Sequence, residues 1–382
     1  MKVTSFAALA SILSVAAAQN ASSYAAGLLQ ALQAANLTTL ASAASSNAAT
    51  LLPLLQQGNH TVFAPTDNAF SQLPENVTSD ANLVAQTILY HIYYGAYAPT
   101  NLSSNHTIAR SALNSTQYVN LPSNASQVAV ITSGGSGSSN QSATVIQATR
   151  NVTSTAFTKY QNLDVYIIDE VLQIPGNLTE TATEVGLTSL TGALTQYAPQ
   201  AVTALSETKG ITVFAPVNSA FENAASLLGQ LNQTTIANVL LNHVVNGTVL
   251  YSPLVTNGSN VTSAGGEALS FMTNSTGVFV KSGNSTAQII RADIPISNGV
   301  VHLISNILAN PESNPSAAAS AASSAASVAR TNTAVATGAV TATGSAPGAS
   351  GSGRSGGTSG AGQVVVGGGL AGLVALGVAA LF

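Results

Sequence analysis

Histidine and carboxylate side chains are the groups that could form a metal site or an acid–base pair here, because the chain contains no cysteine. A metal site needs several ligands at suitable spacing, and the five histidines are far apart in sequence. His91 and His243 each lie in an apolar run, which predicts buried rings whose nitrogens bond to the backbone. His60, His106 and His302 are equally isolated, so we expect no metal site.

The carboxylates and serines form no recognisable catalytic pattern. Asp169 and Glu170 are adjacent, so on a strand their side chains point to opposite faces and make a poor acid–base pair. Asp67 comes after a predicted strand and is more simply explained as a helix cap. The many serines occur without the Gly-x-Ser-x-Gly turn of hydrolases. We therefore expect neither an enzyme nor a cofactor.

Asparagine carries the most frequent chemical signal in the chain, the N-glycosylation sequon Asn-x-Ser/Thr. Seventeen sequons indicate passage through the secretory pathway, and their sugars would keep a surface with only 6% charged residues soluble. The predicted N-glycosylation candidates are Asn20, Asn36, Asn59, Asn76, Asn101, Asn105, Asn114, Asn124, Asn140, Asn151, Asn177, Asn232, Asn246, Asn257, Asn260, Asn274 and Asn284.

The N-terminus has the three parts of a secretory signal peptide. Lys2 precedes an apolar stretch over 6–15, and three alanines that end at Ala18 come next. A charged start, a short apolar segment and a small-residue cleavage site in this order predict a signal peptide at 1–18. Cleavage there would leave Gln19 as the first residue of the mature protein.

The C-terminus ends in an apolar tail, 360–382, with no basic residue after it. Small and polar residues precede the tail, which is the pattern of a signal for glycosylphosphatidylinositol (GPI) attachment. A transmembrane helix is the alternative, although the tail is barely long enough to span a bilayer and lacks a basic flank. The candidate attachment residues are Ser352, Gly353, Ser355, Gly356 and Gly357.

Residues 312–359 are rich in Ser, Ala, Thr and Gly. Such a segment has too little large apolar surface to offset the entropy lost on ordering, which predicts a disordered stalk. The chain also has no basic run that could track a phosphate backbone, so we expect no nucleic-acid partner.

The remainder of the chain contains one pattern twice, which is the strongest indication of its fold. The interval between the second and third motifs is 75 positions in the first copy and 59 in the second, a difference of 16. We expect the extra residues to lie at the Gly/Ser-rich segment 133–139, as a flexible insertion in a surface loop. The matching segments are 61–70 with 212–221, 90–91 with 242–243, and 165–172 with 301–308.

Each copy predicts helices with apolar residues at helical spacing and then a short strand. Pro65 or Pro216 ends that strand, because proline cannot continue a β-ladder. A capped helix that begins with Ala-Phe comes next. The later strands are predicted at 127–132 and 277–281, and the closing strands at 165–168 and 300–304.

These motifs resemble those of the fasciclin domain family. Departures from the family pattern occur at Tyr166, Val217, Asn242 and Ser305, and the resemblance extends from about residue 20 to 311. It implies an α+β fold in which each domain is a wedge-shaped β-sandwich flanked by a small helical bundle. The residues that carry it are Thr61, Phe63, Pro65, Phe70, Tyr90, His91, Asp169, Phe214, Pro216, Phe221, His243 and His302.

The resemblance also implies a role in cell adhesion or in the organisation of an extracellular matrix or cell wall. We expect domains at 19–176 and 177–311, joined by a short link that limits their relative freedom. Surface or wall components, including glycans, would be the partners of a GPI-anchored glycoprotein of this kind, and the composition suits a fungal one. Two alternatives stay open: a structural or trafficking role on a vacuolar or other secretory membrane, and a glycan-binding module with a groove between the domains.

Overall fold

The computed structural model describes residues 23–134 and 141–331, which include both copies of the repeat. The copies form two α+β domains in tandem, in agreement with the predicted fold class. The predictions outside these residues are the signal peptide, Asn20, Asn140, the stalk beyond 331, the tail and the candidate attachment residues.

Within residues 23–90, six helices form one side of domain 1. Leu28 and Leu32 of the first helix are buried against the same core as Leu51 of the third. Asp80 caps the sixth helix by accepting hydrogen bonds from the backbone nitrogens of its first turn. The helices are α1 (23–34), α2 (Thr38–Ser46), α3 (Ala48–Leu55), α4 (Asp67–Ser71), α5 (Glu75–Thr78) and α6 (Ala81–Tyr90).

The described strands of domain 1 form two four-stranded sheets. The first has the spatial order β2 (Ile92–Tyr94), β1 (His60–Pro65), β8 (Leu163–Ile168) and β7 (Ala156–Tyr160). The second has the order β3 (Thr107–Arg110), β4 (Val128–Ser133), β5 (Ala143–Ile146) and β6 (Asn151–Thr153). One face of the first sheet packs on the helices and the other on the second sheet. The predicted insertion at 133–139 begins at the last residue of β4, and its residues 135–139 lie outside the described residues.

Domain 2, which lies wholly within the described residues, has five helices and a seven-stranded sheet. Ile211 and Val213 face the helices, whereas Phe214 faces the opposite core, as expected from the alternation of side chains along a strand. The helices are α7 (Leu178–Glu184), α8 (Thr188–Tyr197), α9 (Pro199–Glu207), α10 (Asn218–Leu228) and α11 (Gln233–Leu241). The sheet has the order β10 (Val244–Asn246), β9 (Ile211–Pro216), β15 (Gly299–Ile304), β14 (Ser285–Ile296), β13 (Gly277–Ser282), β12 (Ala268–Asn274) and β11 (Asn260–Thr262).

The prediction of a disordered stalk from residue 312 is wrong for its first part, because Pro315–Thr331 form a helix, α12. Alanine has the highest intrinsic helix propensity, and this preference does not depend on large apolar residues. Asn314 caps the helix by accepting a hydrogen bond from Ala317 N (3.1 Å). Ala325 is buried beside Gly247 of domain 2, so tertiary packing adds to the local preference.

Candidate functional site

The two motif histidines lie in the core and make the same pair of backbone hydrogen bonds in each domain. His91 Nδ1 donates to the carbonyl of Thr87 (2.7 Å), and Nε2 accepts from Leu172 N (2.9 Å). His243 makes the equivalent bonds at 2.7 and 2.9 Å. Burial lowers the pKa of each ring to about 4, so both are neutral at pH 7. The prediction of buried histidines bonded to the backbone is confirmed.

The strand residues of the first motif are also structural. Thr61 Oγ1 donates to the carbonyl of Gly95 (2.9 Å) and accepts from Tyr97 N (2.9 Å), which fixes the chain after β2. Phe63 is fully buried and Pro65 is the last residue of β1. In domain 2, Phe214 and Pro216 occupy the same places on β9. Phe70 and Phe221 are half-buried against the helical cores of their domains.

Asp67 is the first residue of α4, but its carboxylate caps α2. Its carboxylate accepts hydrogen bonds from Thr38 Oγ1 (2.6 Å) and Thr39 N (2.7 Å) at the start of α2, and these lower its pKa to about 2. Thr66 caps α4 instead. Asn218 of domain 2 binds the start of α8 in the same way as Asp67 binds α2. These polar groups therefore join α4 to α2 in domain 1 and α10 to α8 in domain 2.

Asp293 of β14 connects the two domains. Its buried carboxylate accepts hydrogen bonds from His106 Nδ1 of domain 1 (2.6 Å) and from Ser252 N of domain 2 (2.7 Å). Burial acts to raise the pKa of Asp293, but the bonds from His106 and Ser252 and the nearby His302 together lower it. The backbone of Asp293 lies in the left-handed region (φ +62°), which residues other than glycine seldom adopt. The sequence contained no motif that pointed to this contact.

Apolar packing surrounds the polar contact between the domains. Ile108 and Val130 of domain 1 share a buried cluster with Tyr251 and Val300 of domain 2. Further hydrogen bonds cross the interface, including Gln127 Nε2 to Ile296 O (3.1 Å). The short link predicted limited freedom between the domains, and these contacts supply a physical reason for it.

The remaining motif residues lie at two different depths. His302 is buried, and its Nε2 donates to the carbonyl of Leu250 (2.7 Å). Asp169 is exposed and accepts only a long hydrogen bond, 3.5 Å, from Thr66 Oγ1.

Residues 23–134 and 141–331 contain no group of three or more His, Cys, Asp or Glu side chains that could hold a metal ion. No helix within the same ranges is long and apolar enough to cross a membrane.

The sequons lie on the surface of both domains. Of the fifteen within the described residues, thirteen asparagines are exposed and two, Asn177 and Asn246, are half-buried. None of these fifteen donates a hydrogen bond from its amide nitrogen Nδ2, the atom that carries an N-linked sugar. By contrast, buried asparagines outside sequons, such as Asn242 and Asn298, use Nδ2 to hold backbone carbonyls.

The fold and these contacts define a tandem pair of α+β domains whose motif residues build the cores and helix caps, and whose shared interface is built by residues outside the motifs. The chain belongs to the fasciclin domain family: the model of that family, described as the fasciclin domain, matches residues 35–175 and 185–310.

Relatives of the chain include two fungal proteins described as fasciclin-like arabinogalactan proteins. The one from Arthroderma benhamiae is 25% identical over 66% of this chain, which spans 59% of that protein's length. The one from Cercospora beticola is 24% identical over 65% of this chain and 67% of its own length. A cell surface glycolipoprotein of Mycobacterium bovis is 34% identical over 14% of this chain and 27% of its own.

Among solved structures, a FAS1 domain pair from the insect cell adhesion molecule Fasciclin I aligns with 72% of this chain and 96% of its own. The identity is 17% and the TM-score is 0.35.

Proposed function

We propose that the protein is a secreted, N-glycosylated cell-surface protein that acts in cell adhesion or in the organisation of a cell wall or matrix. The observation that carries the proposal is the distribution of the sequons: in every described case the asparagine reaches the surface and its Nδ2 makes no hydrogen bond. The names of relatives add support, since two are described as fasciclin-like arabinogalactan proteins and one as a cell surface glycolipoprotein.

Sparsely charged, sugar-covered domains suit contacts with wall polymers or neighbouring cells. Charged residues are only 6% of the chain, so glycans would supply most of the polar surface that keeps it soluble. The apolar tail would attach the protein to the outer membrane leaflet through GPI, and the stalk beyond α12 would separate the domains from the membrane. Partners of this protein would be wall or matrix components, including glycans.

Mass spectrometry of the mature protein is the first test. Glycopeptides should appear at exposed sequons, such as Asn101 and Asn257, while Asn242 and Asn298 serve as internal controls that stay unmodified. A GPI remnant should be found on one residue of 352–357. An unglycosylated chain with Met1 still present would contradict secretion.

Release from cells tests the role itself. Cells that display the protein should lose it, and should aggregate less, after treatment with a phosphatidylinositol-specific phospholipase. The control is the same chain carried on an unrelated transmembrane helix, which the enzyme should not release. Unchanged aggregation after complete release would contradict adhesion. Retention of the native chain on the membrane after treatment would favour the structural or trafficking role.

A further inference from the structure

A cleft of about 600 Å³ lies between the two domains, beside the turn between β5 and β6 of domain 1 that carries Gln147 and Arg150. The helices α4–α6 of domain 1, the link 169–176 and α7 of domain 2 form its walls. Apolar side chains make up much of the lining, among them Leu73, Leu83 and Ile174. A volume in this range is typical of sites that bind a ligand.

The rim of the cleft carries half of the net charge of the described residues. Among the described residues that line it, four are acidic, Asp169, Glu170, Glu180 and Glu184, and one is basic, Arg150. Arg150 forms an ion pair with Glu170, in which Nε of the arginine lies 2.9 Å from Oε2 of the glutamate. Four acids and one base leave a formal charge of -3 at the cleft, and the described residues together, with thirteen acids and seven bases, have -6. Such a concentration of one sign attracts the opposite sign.

A buried amide in the lining needs a hydrogen-bond donor. Gln147 is only 5% exposed, and its Nε2 donates to the carbonyl of Gln173 (3.0 Å). Its Oε1 has no hydrogen-bond partner among the described residues. A buried acceptor without a partner costs free energy, so a ligand that donates an N–H there would remove a defect of the free protein.

We infer that this cleft binds a protein segment in which a lysine or arginine side chain is flanked by apolar side chains. Carboxylates at the rim bind the cationic group, and the apolar lining accepts its neighbours. Gln147 Oε1 accepts a hydrogen bond from the same segment. Peptide binding in solution requires neither the anchor nor a cell, so it is independent of a role in adhesion.

Binding of a fluorescein-labelled leucine–lysine peptide to the secreted glycoprotein tests the inference by fluorescence anisotropy. A leucine–glutamate peptide of the same length is the matched ligand control. Replacing both Glu180 and Glu184 by Gln should weaken binding about three- to thirtyfold, since each partly exposed ion pair contributes up to about 1 kcal/mol. Glutamine at 180 can still complete the capping box of α7, so the helix is preserved.

A double change at Glu207 and Glu222, also to Gln, is the matched control variant. Both residues are exposed on helices α9 and α10 of the same domain and lie outside the cleft. This control should alter binding less than about twofold, because distant exposed charges are screened by salt. An equal loss in both double variants would show attraction to the whole acidic surface and would overturn the site.

Gln147→Met tests the lining without changing any charge. Loss of the acceptor should weaken binding about fivefold, which corresponds to one hydrogen bond of about 1 kcal/mol. Circular dichroism and thermal melting of the unliganded variant would show whether it folds. Unchanged affinity in a folded Gln147→Met variant, or equal affinity for the leucine–glutamate peptide, would refute the assignment.

Discussion

The two domains build the same core contact from different side chains. In domain 1, Tyr166 stacks on Phe63 with ring centroids 5.0 Å apart, and its hydroxyl donates to the carbonyl of Tyr97 (2.7 Å). In domain 2, His302 stacks on Phe214 at 5.4 Å and Nε2 donates to Leu250 O, also at 2.7 Å. The fold therefore requires a planar ring with a donor at its end, and either residue can supply it.

The domains also differ at the residue before the motif histidine. Tyr90 of domain 1 donates to the carbonyl of Val128, which ties α6 to the second sheet of its own domain. At the same position in domain 2, Asn242 donates to the carbonyls of Asn310 (3.0 Å) and Glu312 (2.8 Å). The departure from the family pattern at Asn242 thus holds the segment that leads into α12.

Truncation of the stacked phenylalanine should have the largest effect on stability in either domain. Phe63→Ala and Phe214→Ala should each lower the free energy of unfolding by about 3–5 kcal/mol, because both rings are fully buried. Urea titration of the purified protein measures the loss. Leu227→Ala is the control, since this side chain is 46% exposed and should cost little. A small loss of stability in only one of the two variants would show that Phe63 and Phe214 do not have equivalent roles in their domains.

The motif histidines should make stability depend on pH in the same way in both domains. Their folded pKa is about 4, below the ordinary value of 6.5, so in that window the unfolded chain binds protons that the folded chain does not. Stability should therefore be unaffected above pH 6.5 and should fall as the pH decreases towards 4. Each buried ring should account for a loss of up to about 3 kcal/mol in the free energy of unfolding.

Chemical denaturation at pH 7 and pH 4.5 measures the slope of the free energy of unfolding against pH. The range stops above the pH at which Asp293, whose pKa is lowered from 3.8, begins to titrate. Replacing His91 by Leu and His243 by Leu should each remove a similar share of the slope. Burial also lowers the pKa of His60 and His302, which should supply the remainder. An unchanged slope in the double variant would assign the pH dependence to other groups.

Sequence patterns predicted the parts of the fold that repeat. The two copies support each other's interpretation, so the buried histidines and the first strand of each copy could be found from local motifs. The strands were predicted at 61–63 and 211–214 and lie at His60–Pro65 and Ile211–Pro216. The contact of His106 with Asp293 could not, because the residues are 187 positions apart and neither lies in a motif. The pattern also did not show that β14 of domain 2 is one strand of 12 residues. Domain 1 has two separate strands, β6 and β7, in the corresponding part of its sequence.

The ring partner of the phenylalanine provides a finer test of the comparison. Replacing Tyr166 by Phe leaves one buried carbonyl, that of Tyr97, without its donor and should cost about 1–2 kcal/mol. Replacing His302 by Phe should cost about 1 kcal/mol more, because Asp293 N also loses its acceptor, His302 Nδ1 (3.2 Å). Urea titration of both variants measures the difference. Equal losses would mean that the bond from Asp293 N contributes nothing measurable.

The smallest expected difference concerns the glycines that come after β2 and β10. Gly95 (φ +104°) and Gly247 (φ +75°) both have positive φ, so alanine at either should cost about 1–2 kcal/mol for backbone strain alone. An added Cβ at Gly95 would meet the ring of Tyr97 at 3.5 Å, an ordinary contact. At Gly247 it would come within 2.9 Å of Ala325 Cβ, and α12 would have to move. Hydrogen exchange in α12 should therefore accelerate in Gly247→Ala and stay unchanged in the matched Gly95→Ala. Unchanged exchange in both variants would mean that the helix does not depend on this contact and is held by others, such as those made by Ser123 with Ala329 and by the capping residue Asn314.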